Sequence, residues 1–193
     1  GIEYYQGFHE QATSFAADAY GRVLHKMGVV LVTSGPGAVN ALAGCADAYL
    51  NTIPLMIITG QDRLAHLEDN PGVRLNGFQD LDIVSIAAPI TKYAVQITEP
   101  GKIGYELEKA FQIANEGRKG SVLIDVPMDI QFEEVPEEFL HFYPEENQGG
   151  VVKQEIITDI CNEIYASEKP VIIAGGGIHT ADAEKELFEF VSK

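Results

Sequence analysis

Positive charge is what this chain has little of: 13 lysines and arginines stand against 29 aspartates and glutamates, a formal charge of −16. A broad basic face is excluded, and with it nucleic acid or an anionic membrane as partner. Cysteine is scarce too. Cys45 and Cys161 lie far apart and in no metal-ligand spacing, so each reads as a small apolar residue in a reduced, cytoplasmic setting. No apolar run approaches the ~20 residues of a membrane span, and no secretory signal is visible. His9, His25, His66, His141 and His179 show no metal spacing either, and no metal site is expected among these residues.

What is present suffices for one full domain and part of another: 193 residues, 46% of them apolar. Much of the acidity is local. FEEVPEEFLHFYPEEN holds six glutamates between Glu133 and Glu146, the composition of a solvated connecting segment. The chain opens at Gly1, without methionine and directly in a strand-like stretch, so a piece of a longer protein is expected.

Period and punctuation predict alternating strands and helices. IEYYQ reads as a short strand, followed by a helix from about His9 to Lys26. Phe8, Ala12, Phe15, Ala16, Ala19, Tyr20 and Val23 form its broad apolar face. VVLVT and PLMIIT are continuous apolar runs suited to burial on both faces of a parallel sheet. Between them SGPG opens an alanine- and glycine-rich helix at 36–49, with Pro36 in the first turn, where its missing N–H costs nothing. FQDLDIVSIAA reads as a short helix, KYAVQIT as a strand, PGKIGYELEKAFQIANEGR as a capped helix and SVLIDV as another buried strand. Such alternation implies an α/β fold, a parallel sheet with helices on both faces. This first domain is expected at 1–131, an acidic linker at 132–150, and the start of a second α/β domain, with PVIIAG as its strand, at 151–193.

Two familiar sites fail on inspection. Ser34 stands in a strand-to-helix turn, but a nucleophile elbow needs glycine two residues earlier, where Val32 stands. GGGIHT carries Thr180 in place of the third glycine of a dinucleotide fingerprint. What remains is a set of turns at strand ends: FHE, TSGPG, TGQ and GFQD. In a parallel sheet such turns gather along one edge, where ligands bind. A carboxylate, exposed glycine backbone and amide side chains, with no lysine or arginine in the first three turns, suit an uncharged nitrogen heterocycle. Glu10 itself keeps two readings on residue chemistry alone: an acid capping a helix, or a catalytic carboxylate whose pKa is raised by burial in a strand-end cleft.

FHEQATSFAADAYGR followed by GVVLVTSGPGAVNALAGCADAYLNTIPLMIITGQ resembles the pyrimidine-binding domain of thiamine-diphosphate enzymes, in the acetolactate synthase-like branch. The resemblance runs from about Gly1 to Asp129, and PVIIAGGG resembles the opening of that family's central domain. It implies that Glu10 is the cofactor-activating glutamate and that Pro36, Gly37 and Asn40 line the pyrimidine pocket. Gln79 would face the reaction centre. It further implies carboligation or decarboxylation of a 2-keto acid, magnesium held by a C-terminal domain outside these residues, a homodimer or homotetramer, and no activity from this piece alone. FAD is an optional companion in that branch, bound largely through the central domain. Two departures keep other reactions open. The loop DRLAHLEDNPGVRLNG is unlike the acetolactate synthase pattern, and Met128 stands where those enzymes typically carry lysine. The alternatives are another thiamine-diphosphate decarboxylase or lyase of sugar or polysaccharide pathways, and a non-catalytic subunit-contact module of the same fold.

Overall fold

The computed structural model describes residues 2–67, 73–137 and 152–192. The chain divides near residue 144 into two compact units. The expected linker at 132–150 lies for the most part outside the described residues.

In the first unit the elements alternate: α1 (Glu10–Leu24), β1 (Gly28–Val32), α2 (Pro36–Asn51), β2 (Leu55–Gln61), α3 (Ile83–Ala87), β3 (Tyr93–Gln96), α4 (Ile103–Asn115), β4 (Ser121–Pro127) and α5 (Met128–Gln131). The four strands form one sheet in the order β1-β2-β4-β3, and every pairing is parallel. The central β4 is buried along its whole length and β2 nearly so, which is why both are written as unbroken apolar runs. At the edge, β1 alternates instead: Val30 and Val32 are buried while Val29 and Leu31 are exposed.

Each face of the sheet has its own core. Val30, Ile57 and Leu123 pack with Ala38, Ala41 and Cys45 of α2 and with Ile83 and Ala87 of α3. On the opposite face Met56, Val122 and Ile124 pack with Ala110 and Ala114 of α4 and Ile130 of α5. The sequence expectation of helices on both faces is therefore met.

Helix α1 packs on a different stripe from the one its bulky residues suggest. It buries Ser14, Asp18 and Gly21, whereas Phe8, Ala12, Phe15, Ala16, Ala19, Tyr20 and Val23 are all exposed. Close approach decides this. A methyl group on Gly44 of α2 would lie 2.5 Å from Ser14 Oγ, and one on Gly28 would lie 2.2 Å from the Ala17 carbonyl oxygen. Only small residues allow backbones so near. The polar members of the stripe are satisfied in place: Ser14 donates to the Gln11 carbonyl, and Arg22 bridges Asp18 and Asp47, both at 2.6 Å.

Three other expectations are corrected. IEYYQ forms no strand, and Ile2, Tyr4 and Tyr5 are exposed; a strand exists through its ladder, and no described strand pairs with this stretch. The helix expected over FQDLDIVSIAA begins only at Ile83, because Asp82 caps it by accepting from Ser85 N–H and Gln79 adopts a left-handed backbone with φ 59°. PVIIAG, in the second unit, likewise forms no strand, and Val171 and Ile173 are exposed. The described part of that unit is helical: α6 (Gln154–Ala166), α7 (Gly176–Thr180) and α8 (Glu184–Val191).

Candidate active site

Parallel strands deliver the turns after β1 and β2 to the same sheet edge. Their contact is direct: a methyl group on Gly60 would lie 3.8 Å from the Ser34 backbone nitrogen and 3.9 Å from the Val32 carbonyl oxygen. Gly35, at φ 59°, turns the chain into α2, and Pro36 takes the first helical position, where proline suits it.

The first turn of α1 meets this edge. His9 is the N-cap of α1, its Nδ1 accepting from Gln11 N–H at 3.2 Å, so capping belongs to the histidine and not to Glu10. The Glu10 side chain instead crosses to α2, where Asn40 Nδ2 donates to Glu10 Oε2 at 3.2 Å. It also lies over Gly37, since a methyl group there would be 3.3 Å from Glu10 Oε1 and 2.6 Å from Thr33 Cγ2. Glycine at 37 lets Thr33 and Glu10 pack this closely, since a side chain there would collide with them.

Burial of this carboxylate is less than the sequence suggests. Glu10 is half-buried, and Pro36 and Asn40 are exposed, so the residues form an open shelf rather than a closed cleft. A hydrogen bond from its own backbone N–H, followed by that from Asn40, holds the Glu10 carboxyl below the usual carboxylate range. The expected raised pKa is thus corrected: donors outweigh desolvation here.

Gln79 arrives from the loop before α3. Its backbone lies against the TSGPG turn, where a methyl group on Gly35 would be 2.7 Å from Gln79 Cβ and 3.0 Å from its carbonyl oxygen. The loop is tied to the end of β2 by Asp62, whose Oδ2 accepts from Phe78 N–H at 2.6 Å and faces His66 Nδ1 at 3.2 Å. Glu10, Pro36, Gly37, Asn40 and Gln79 therefore all stand on or beside the β1–α2 turn.

One feature of this edge escaped the sequence reading. Where the apolar core ends, Thr59, Gln61, Asp125 and Gln96 form a polar layer across three strands. Asp125 Oδ1 accepts from Thr59 Oγ1 at 2.6 Å, and its Oδ2 accepts from Gln96 Nε2 at 2.8 Å and Gln61 Nε2 at 3.2 Å. The signal was a single acid inside the apolar strand SVLIDV. Burial pushes the Asp125 carboxyl above the usual range, against the lowering effect of those three donors. Cys45 is buried, and its thiol is pushed up to about 11, which leaves it unreactive near neutral pH.

Comparison with known proteins shows what this chain is similar to. Residues 1–86 match the family described as thiamine pyrophosphate enzyme, N-terminal TPP binding domain. Acetolactate synthase large subunits are similar along the rest as well. That of Lactococcus lactis subsp. lactis is 40% identical over 199 residues, covering 100% of this chain and 33% of the relative. That of Haemophilus influenzae is 35% identical over 202 residues, covering 100% and 33%. The Parasynechococcus marenigrum protein is 37% identical over 187 residues, covering 93% and 29%. The chain thus spans about a third of the length of the curated relatives it matches. The parallel sheet flanked by helices is consistent with the thiamine pyrophosphate enzyme domain, and its sequence is acetolactate synthase-like.

The shelf suits the pyrimidine half of that cofactor. It offers a carboxylate held by an amide, with Pro36 and Asn40 exposed beside it. Among the described residues no group of three or more histidines, cysteines and acids could hold a metal ion, and no helix is long and apolar enough to cross a membrane.

Proposed function

We propose that this chain supplies the cofactor-activating carboxylate, Glu10, to a thiamine-diphosphate-dependent enzyme that joins or decarboxylates 2-keto acids such as pyruvate. The observation that carries the reading is the Glu10 carboxylate, held by Asn40 and packed against Gly37 at the start of α2. When bound, the cofactor supplies a ring carbon able to attack a carbonyl and to hold the negative charge left by decarboxylation.

The chain's own residues would act as follows. Pro36 and Gly37 offer the surface on which the pyrimidine ring rests. Asn40 fixes the direction of the Glu10 carboxyl, and Glu10 shares a proton with a ring nitrogen of the pyrimidine. Covering by the ring removes water from Glu10 and moves its pKa upward from the depressed value of the open shelf, toward neutrality, where a shared proton transfers most effectively. Gln79, against the same turn, presents its amide to the substrate. Diphosphate and magnesium would be held by other parts of a protein the size of its relatives, as a homodimer or homotetramer in the cytoplasm. The 193 residues alone would then be inactive, and the visible absorption spectrum of the purified whole protein reports whether FAD is present.

Met128 favours a second reading in the same cofactor class. It is exposed at the start of α5, where the resemblance would place a lysine. A neutral residue there fits a decarboxylase or lyase that needs no cation at that position. Incubating the whole protein with pyruvate, thiamine diphosphate and magnesium separates the two: acetolactate supports carboligation, and acetaldehyde alone supports the second reading.

A further inference from the structure

Asp125 is fully buried on a central strand, with no lysine or arginine among its hydrogen-bonding partners. A buried acid is costly unless its hydrogen bonds are made, and its three donors all sit at the sheet edge that carries the candidate site. One donor leads onward. Gln61 Nε2 is shared between Asp125 Oδ2 and the Leu81 carbonyl at 2.8 Å, while Gln61 Oε1 accepts from Asp62 N–H at 3.0 Å. These contacts fix the orientation of the Gln61 amide, because reversing it would set oxygen against two acceptors. Leu81 N–H in turn donates to the Gln79 carbonyl at 3.0 Å, and Ile83 N–H to the Leu81 carbonyl at 2.7 Å. The left-handed backbone of Gln79 then rests against Gly35.

We propose that Asp125 is a positioning residue: through Gln61 it holds the segment from Gln79 to Leu81, so that Gln79 stands against the Gly35 turn beside the Glu10 shelf. The catalytic half of this proposal rests on the functional reading above. Asp125 accepts hydrogen bonds from Thr59, Gln61 and Gln96, and from neither Glu10 nor Asn40. Its effect should therefore fall on the Gln79 side of the site and spare the Glu10 side.

Two variants of the whole protein test this. Asp125→Asn keeps the volume but turns one acceptor oxygen into a donor. Gln61→Met keeps the length and cuts the next link. In both, amide hydrogen exchange at Leu81 and Ile83 should accelerate about tenfold or more, while Ile57 and Leu123 in the sheet change less than about twofold. With thiamine diphosphate and magnesium bound, proton exchange at the thiazolium carbon should stay within about twofold of wild type, and kcat for pyruvate should fall about tenfold with KM little changed. Wild-type exchange at Leu81 and Ile83 in either folded variant overturns the proposal. So does equal acceleration throughout the sheet, which marks a purely stabilising role. A wild-type protein that binds no thiamine diphosphate overturns the functional reading instead, and the amide exchange still decides whether Asp125 places Gln79.

Discussion

Asn40 Nδ2 donates to Glu10 Oε2 at 3.2 Å, tying the first residue of α1 to the second turn of α2. This bond aims the carboxylate and, after the hydrogen bond from Glu10's own backbone N–H, lowers its pKa. Asn40→Ala removes the donor, so the Glu10 pKa should rise toward the ordinary value of about 4.3. NMR titration of the Glu10 carboxyl carbon measures it. A pKa that stays where it was would mean that Asn40 does not set the carboxylate.

The close packing at Gly37 makes a steric prediction. In Gly37→Ala the new methyl group meets Thr33 Cγ2 at 2.6 Å and Glu10 Oε1 at 3.3 Å. Thr33 is exposed and can turn away, so the fold should survive. Cofactor affinity should fall about tenfold, because the methyl group crowds Glu10 and shifts its carboxylate. Calorimetric titration of the whole protein with thiamine diphosphate and magnesium checks this; wild-type affinity would place the cofactor elsewhere.

Two glycines separate crowding by backbone from open space. Gly28→Ala drives a methyl group to 2.2 Å from the Ala17 carbonyl oxygen, which cannot rotate away. It should cost about 1–3 kcal/mol or more. Gly60→Ala meets nothing nearer than 3.8 Å and should stay within about 1 kcal/mol of wild type. Urea denaturation gives both values, and equal costs would contradict the packing of α1 onto β1.

Acid should act through Asp62 and Asp125 with opposite signs. Backbone N–H groups, that of Arg63 first, hold the Asp62 pKa below the usual range. Its contribution to stability is present above the unfolded pKa of about 3.9 and is lost as pH falls through the depressed folded value. Asp62→Asn should therefore flatten the acid limb of the stability curve. Asp125 is raised by burial, so its ionisation in the folded state removes stability as pH rises from about 3.9 through the raised value. Asp125→Asn should abolish that fall. Stability measured from pH 3 to 8 reads both, and an unchanged acid limb in Asp62→Asn would contradict the first assignment.

The strands at the heart of the sheet were legible because burial on both faces writes an unbroken apolar run, as in LMIIT and SVLIDV. The gathering of the TSGPG and TGQ turns followed from parallel pairing alone. The packing face of α1 was not legible: Phe15 and Tyr20 outweigh Ser14 and Gly21 in apolar bulk, yet helix approach is set by the smallest residues. IEYYQ and PVIIAG have strand composition, but a ladder needs a partner that composition does not supply. The lowered Glu10 pKa rests first on its own backbone N–H and then on Asn40, thirty residues away and reached only through the α1–α2 contact. Asp125 was visible as an acid in an apolar run, but its role depends on Gln61 and Leu81, which the fold alone brings to it.

The central claim is that Glu10 activates the cofactor and does not merely cap α1. Since His9 makes the cap bond, Glu10→Gln should leave the melting temperature of the whole protein nearly unchanged. The glutamine keeps the shape but cannot share a proton with the pyrimidine ring. With saturating thiamine diphosphate and magnesium, NMR should show proton exchange at the thiazolium carbon slowed by roughly 10²–10⁴-fold. Exchange at the wild-type rate in a folded, cofactor-bound Glu10→Gln protein would contradict the account.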